Sequence, residues 1–98
     1  MRIRVSARAR READRGDAWW RTNRPNVADL FTRELLHVLD LLRDNANLGT
    51  LYEAVHFEVP VRRILMPKTE SHVYQARIGD AVVILAVWGA RRHPGPKL

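Results

Sequence analysis

At 98 residues the chain has room for one domain and one modest core. Apolar residues at 46% and charged residues at 29% are ordinary globular proportions and argue against a disordered chain, while the absence of cysteine excludes a disulfide scaffold and any cysteine-based zinc site. A net charge of +6 directs attention to anionic partners, and no apolar run approaches the roughly 18 residues of a membrane span.

In chain order, Met1–Val5 alternates Met1, Ile3 and Val5 against Arg2 and Arg4, the period of a strand with one dry face. The arginines near the start have no apolar stretch after them, so this does not read as a secretory signal, and a soluble cytoplasmic domain is expected. Ser6 is placed to cap a helix. In that helix Ala9, Ala13, Gly16 and Trp20 form a small-residue stripe, opposed by Arg8, Arg11 and Arg15. Asn23-Arg24-Pro25-Asn26 breaks it, because the residue before proline avoids the helical region.

A second helix is expected from Asn26 or Val27, with Val27, Leu30, Phe31, Leu35, Val38 and Leu42 on one face. Leu36, Leu39 and Leu41 widen the stripe, and Asp29–Arg33 forms an i,i+4 ion pair. Asn45-Ala46-Asn47-Leu48-Gly49 ends the helix. From residue 55 the period becomes two, giving strands at Val59–Met66, Ser71–Ile78 and Ala81–Trp88, with turns at 67–70 and 79–80. The last strand is apolar on both faces and belongs in the interior of a sheet. The tail, about residues 91–98, has two prolines and a glycine and is expected to be a flexible basic extension. The expected fold is a single α+β domain over residues 1–98. Its order is β-α-α-β-β-β, with a helical hairpin packed on a small, mostly antiparallel sheet.

Charge is unevenly spread: residues 1–25 carry +5, residues 26–60 carry −4 and residues 61–98 carry +5, with arginine supplying 15 of the 17 cations. Both ends are basic, which suits phosphate, nucleic acid or an acidic protein surface. Arg62 and Arg63 are neighbours on a strand and must point to opposite faces, one of them free to pair with Glu58 or Glu70. Tyr74 shares a face with His72 and is expected to pack across the sheet. Trp19 and Trp20 stand about 100° apart on the first helix. Trp20 therefore continues the apolar stripe, and Trp19 either closes the junction with the turn or stands out as an interface anchor. His37, His56, His72 and His93 form no helical ligand pair, so neither a metal nor a cofactor is expected.

Val61-Arg62-Arg63-Ile64-Leu65, then Thr69-Glu70-Ser71-His72-Val73-Tyr74, then Val82-Val83-Ile84-Leu85-Ala86-Val87-Trp88 and Arg91-Arg92 form a collinear series. Upstream stand Ala18-Trp19-Trp20-Arg21, Asn23-Arg24-Pro25, Leu30-Phe31, Glu34-Leu35 and Leu48-Gly49. Together these resemble the RelE/ParE family of toxins from bacterial type II toxin–antitoxin systems, over nearly the whole chain. The resemblance implies a cytoplasmic toxin held silent by a cognate antitoxin, which is also the partner expected to bind operator DNA.

Two activities come with that resemblance. RelE-like toxins cut messenger RNA on the ribosome, and ParE-like toxins inhibit DNA gyrase. Cleavage through a 2′-hydroxyl needs a proton acceptor, a proton donor and cations for the phosphorane. Here Arg62, Arg63, Arg77, Arg91 and Arg92 would supply charge and His93 the titratable group. The tyrosine that RelE-like toxins carry near the C-terminus is missing after Trp88. That departure favours the ParE-like reading, with Trp19, Arg8, Arg11, Arg15, Arg91 and Arg92 meeting the target. A member that binds only its antitoxin is the remaining alternative.

Overall fold

Two helices lie on one face of a five-stranded sheet in the computed structural model, which describes all 98 residues. The elements are β1 (Arg2–Val5), α1 (Ala7–Asn23), α2 (Leu30–Asp44), β2 (Thr50–Tyr52), β3 (Val61–Met66), β4 (Ser71–Ile78) and β5 (Ala81–Gly89). The sheet runs β1-β5-β4-β3-β2, with β1 parallel to β5 and every other pairing antiparallel. This is the expected α+β architecture, with β2 added. At three residues β2 is too short to show an alternation, and it begins where Gly49 takes φ +93° against the Arg63 carbonyl.

Ser6 caps α1 as expected: its side chain accepts the Ala9 N–H at 3.1 Å, and its own N–H donates to Ile84 O at 3.0 Å. β1 is short, so β5 runs past it. There Glu12 on α1 accepts the Val87 N–H at 2.9 Å, satisfying a backbone donor on an otherwise open edge. Pro25–Val27 forms a 3-10 turn, so α2 starts at Leu30, later than Asn26 or Val27, and Val27 stands half out of the core. The expected Asp29–Arg33 pair forms at 3.1 Å across the first turn of α2.

The sheet separates two cores. On the helix side Ala9, Phe31, Val38, Leu42, Met66, Val73, Val82 and Ile84 are buried together. On the other side Val61, Tyr74, Ala76, Leu85, Ala86 and Leu98 form a second cluster. A bulge on β5 leaves Leu85 unpaired opposite Tyr74 and Gln75, which lets Leu85 and Ala86 both face the second cluster. The tail has no helix or strand, yet it does not stand away from the body. Leu98 is buried, the Tyr52 hydroxyl donates to Pro96 O at 2.8 Å, and Arg8 donates to Lys97 O at 2.9 Å. A tail expected to be flexible thus lies as a cover over the helix-free face.

The helical hairpin closes on a glycine. A Cβ at Gly16 would lie 2.4 Å from the Phe31 ring, and Phe31 is itself buried. Beside it the Thr32 hydroxyl donates to Asp17 at 2.7 Å, while Arg21 donates to the other Asp17 oxygen at 2.9 Å. Those two bonds, Arg21 first, hold the Asp17 carboxyl below its ordinary range. Gly16→Val is expected to destabilise the fold by about 1–3 kcal/mol through overpacking, read as a lower urea midpoint at unchanged slope. An unchanged midpoint would contradict this helix contact.

Candidate functional site

The six arginine and histidine candidates for catalysis do not converge. Arg62 and Arg77 project on the helix side of the sheet and line one cleft of about 240 Å³ with Asn47, Pro60 and Gln75. Arg63 lies on the opposite side, its guanidinium 5.5 Å from the centre of the Tyr52 ring. Neither Arg62 nor Arg63 pairs with Glu58 or Glu70: Arg62 donates to Gly49 O at 3.2 Å, and Glu70 is taken by Arg91 at 3.0 Å. Arg92 stacks over Trp88 at 3.8 Å, and the Trp88 indole N–H donates back to Arg92 O at 3.2 Å. His93 is exposed in the tail just beyond.

On the helix-free face the aromatic groups pack as expected. Tyr74 meets Tyr52 edge to face at 4.7 Å and His72 at 5.9 Å. Burial, then the neighbouring Tyr74, raises the Tyr52 phenol above its ordinary value. His72 is held below its ordinary 6.5 by burial first and by the Arg63 cation second. The unfolded chain therefore binds the His72 proton more readily than the folded one. This contribution to stability is complete above pH 6.5 and is lost as pH falls from there through the lowered folded value. His72→Gln is expected to flatten the stability profile over that acid limb. An unchanged slope in a urea titration series would exclude His72 as its origin.

A different set does come together, where β4 begins and β5 ends beside the second half of α1. Two adjoining clefts of about 150 and 390 Å³ share Ser71 and Gly89. The first carries Arg15 and Arg92; the second carries Trp19, Arg24 and Lys68. Trp19 is 50% exposed, with Arg24 over its ring at 5.6 Å and Trp20 edge-on at 5.7 Å. It therefore partly closes the helix–turn junction and also presents a broad aromatic surface. None of Arg15, Arg24, Lys68 and Arg92 forms an ion pair, while Arg91 beside them is paired with Glu70. Free cations flanking an exposed tryptophan suit an acidic protein surface.

Of the expected target-binding residues, Trp19, Arg15, Arg91 and Arg92 meet at this end of the sheet. Arg11 is exposed farther along α1. Arg8 holds the tail and lies 5.7 Å from the centre of the Trp88 ring, the ring on which Arg92 stacks. Arg24 and Lys68 were not singled out in sequence. Lys68 sits in the β3–β4 turn, which Glu34 of α2 fixes by accepting the Lys68 N–H at 2.8 Å, the Thr69 N–H at 3.0 Å and the Thr69 hydroxyl at 2.6 Å. The next residue, Glu70, takes φ +53°, a conformation that costs a non-glycine residue about 1 kcal/mol.

A third surface is apolar. α2 and β3 border a groove of about 510 Å³ that includes Leu30, His37, Val38, Leu41, Ile64 and Leu65. Leu41 is 41% exposed, Leu65 50%, and Leu36 on the neighbouring face of α2 is 54% exposed. The widened leucine stripe of α2 is thus only half used by the core: Leu39 is buried, and Leu36 and Leu41 are not. No helix is long and apolar enough to cross a membrane.

No family model and no curated protein matches the sequence. Among solved structures, a chain described as "Chromosomal ParDE TA system from P. aeruginosa" superposes with a TM-score of 0.73 at 18% identity, over 93% of this chain and 97% of that one. At that identity the likeness establishes a shared fold over essentially the whole of both chains.

Proposed function

We propose that this chain, folded as a RelE/ParE-type domain, is the toxin of a type II toxin–antitoxin pair and acts as ParE-like toxins do, by binding DNA gyrase without cutting RNA. The observation that carries this reading is the dispersal of the would-be catalytic groups. Arg62 and Arg77 lie on the helix side of the sheet, Arg63 lies on the opposite face, and Arg91, Arg92 and His93 follow the end of β5, with Arg91 engaged by Glu70. General acid–base cleavage needs its donor, acceptor and cations within hydrogen-bond reach of one phosphate. Binding needs only a surface, and Trp19 with Arg15, Arg24, Lys68 and Arg92 supplies one.

In this reading the cognate antitoxin covers the groove between α2 and β3. A segment that folds on binding would lay apolar side chains against Leu41 and Leu65 and bury the exposed Leu36. Operator DNA is bound by the antitoxin and not by this chain, and both partners work in the bacterial cytoplasm. The expected result is that production of the chain alone arrests growth, while a purified translation reaction given the protein leaves its message intact. Ribosome-dependent cuts that vanish in the Arg91→Ala, Arg92→Ala double variant would replace this reading with the nuclease one. Normal growth would leave an inactive member that only binds its antitoxin.

A further inference from the structure

We propose that the cleft between the start of β3 and the end of β4 binds a small phosphate ester bearing a hydroxyl group near its phosphate, a site separate from the gyrase-binding surface and independent of the toxin reading. Arg62 and Gln75 are directly paired across the two strands, and Arg77 follows Gln75 on the same face. Diagonal neighbours of this kind have their Cα atoms about 7–8 Å apart. Both arginines line the same cleft, no carboxylate lines it, and neither arginine is in an ion pair. Arg62 spends one N–H on Gly49 O, and Arg77 makes no side-chain hydrogen bond, so most of their donors remain for a ligand. Two guanidinium groups over one concavity match a phosphate, whose oxygens accept from both.

Gln75 narrows the chemistry. It forms part of the same wall and is 1% exposed, with its Nε2 donating to Leu48 O at 2.9 Å. Its Oε1 is the one buried side-chain polar atom in the protein without a partner. An oxygen can be satisfied only by a donor, which the phosphate group of a monoester dianion does not offer and a neighbouring hydroxyl does. Because that oxygen is buried, binding requires the Gln75 amide to present it to the cleft that Gln75 lines. At about 240 Å³ the space holds a phosphate and a few carbon atoms, with Val59 and Pro60 as an apolar rim for whatever extends outward. A nucleoside monophosphate and a sugar or glycerol phosphate share this chemistry.

Calorimetric titration of the full chain at pH 8 with the dianions of methyl phosphate, glycerol 3-phosphate and adenosine 5′-monophosphate tests the site. The two hydroxyl-bearing esters are expected to bind about tenfold more tightly than methyl phosphate. Arg77→Ala, an exposed change that leaves the fold intact by circular dichroism, is expected to weaken every ligand about tenfold or more. Gln75→Leu is expected to abolish the preference for the hydroxyl-bearing esters while retaining methyl phosphate. Tighter binding of the nucleotide identifies it as the source, and tighter binding of glycerol 3-phosphate identifies the other. No saturable binding of glycerol 3-phosphate or adenosine 5′-monophosphate into the millimolar range, equal affinity for methyl phosphate, or affinity unchanged in Arg77→Ala would overturn the proposal.

Discussion

Replacing Tyr74 by alanine is expected to lower the folding free energy by about 3–5 kcal/mol, the range for truncating a buried aromatic. Tyr74 is 1% exposed and sits at the middle of the helix-free cluster, with Tyr52 against its ring and Leu98 in the same cluster. No helix covers this face, so removing the ring leaves a cavity that only the tail could fill. For a domain of this size each kcal/mol moves the melting temperature by about 4–8 °C, so a drop beyond about 12 °C is expected. Tyr74→Phe keeps the ring and is expected to be close to neutral, since no hydrogen bond from the Tyr74 hydroxyl is present in the structure. A melting temperature in Tyr74→Ala within a few degrees of the parent would mean that the second core contributes little.

Glu34→Ala is the second large effect, expected at about 2–4 kcal/mol. Hydrogen bonds to a charged group contribute about 1.5–3 kcal/mol each, and donors left unpaired add a further cost. Glu34 receives three such bonds from the β3–β4 turn, and the buried Thr69 supplies two of them. The same bonds hold Lys68 at the basic, tryptophan-bearing end and support Glu70 in its left-handed conformation beside Arg91. Target binding should therefore weaken along with stability, whereas Lys68→Ala should weaken binding while leaving the melting temperature in place. Thermal melts of the two variants beside a binding assay check this. A Glu34→Ala protein with parental stability would show that the turn holds itself.

Much of this fold was legible because its signals are local. The alternation over Val59–Met66, Ser71–Ile78 and Ala81–Trp88 placed three strands, the first of which begins only at Val61, after Pro60; Ser6 announced its cap, and the Asn23–Pro25 break ended α1 where expected. The parity rule also placed Arg62 and Arg63 on opposite faces. What was hidden depends on contacts far apart in sequence. Arg8 reads as a solvent-facing stripe residue until Lys97, 89 positions away, arrives to take its donor. The tail reads as a loose end because prolines and glycine preclude regular structure, but they do not preclude packing Leu98 against Tyr74. The main face of α2 was legible, with Phe31, Val38 and Leu42 buried on it, but of the leucines that widen it nothing showed that Leu39 would be buried and Leu36 and Leu41 exposed, since a helix apolar on several faces does not reveal its partner.

The surface at the end of the sheet shows the same division. Trp19, Arg15 and Arg92 were identifiable as residue types suited to an interface. Their meeting depends on how α1 crosses β5, and Arg24 and Lys68 join them only through that crossing. Conversely, a count of arginines gave no sign that the sheet register would send Arg62 and Arg77 to one face and Arg63 to the other.

The central claim, binding-type toxicity through the tryptophan and its surrounding cations, is tested most directly by a supercoiling reaction with purified DNA gyrase and relaxed plasmid. The protein is expected to inhibit supercoiling in a dose-dependent way, and Trp19→Ala and Arg92→Ala, both folded, are expected to lose most of that inhibition. Full supercoiling at a large molar excess of folded protein would contradict it.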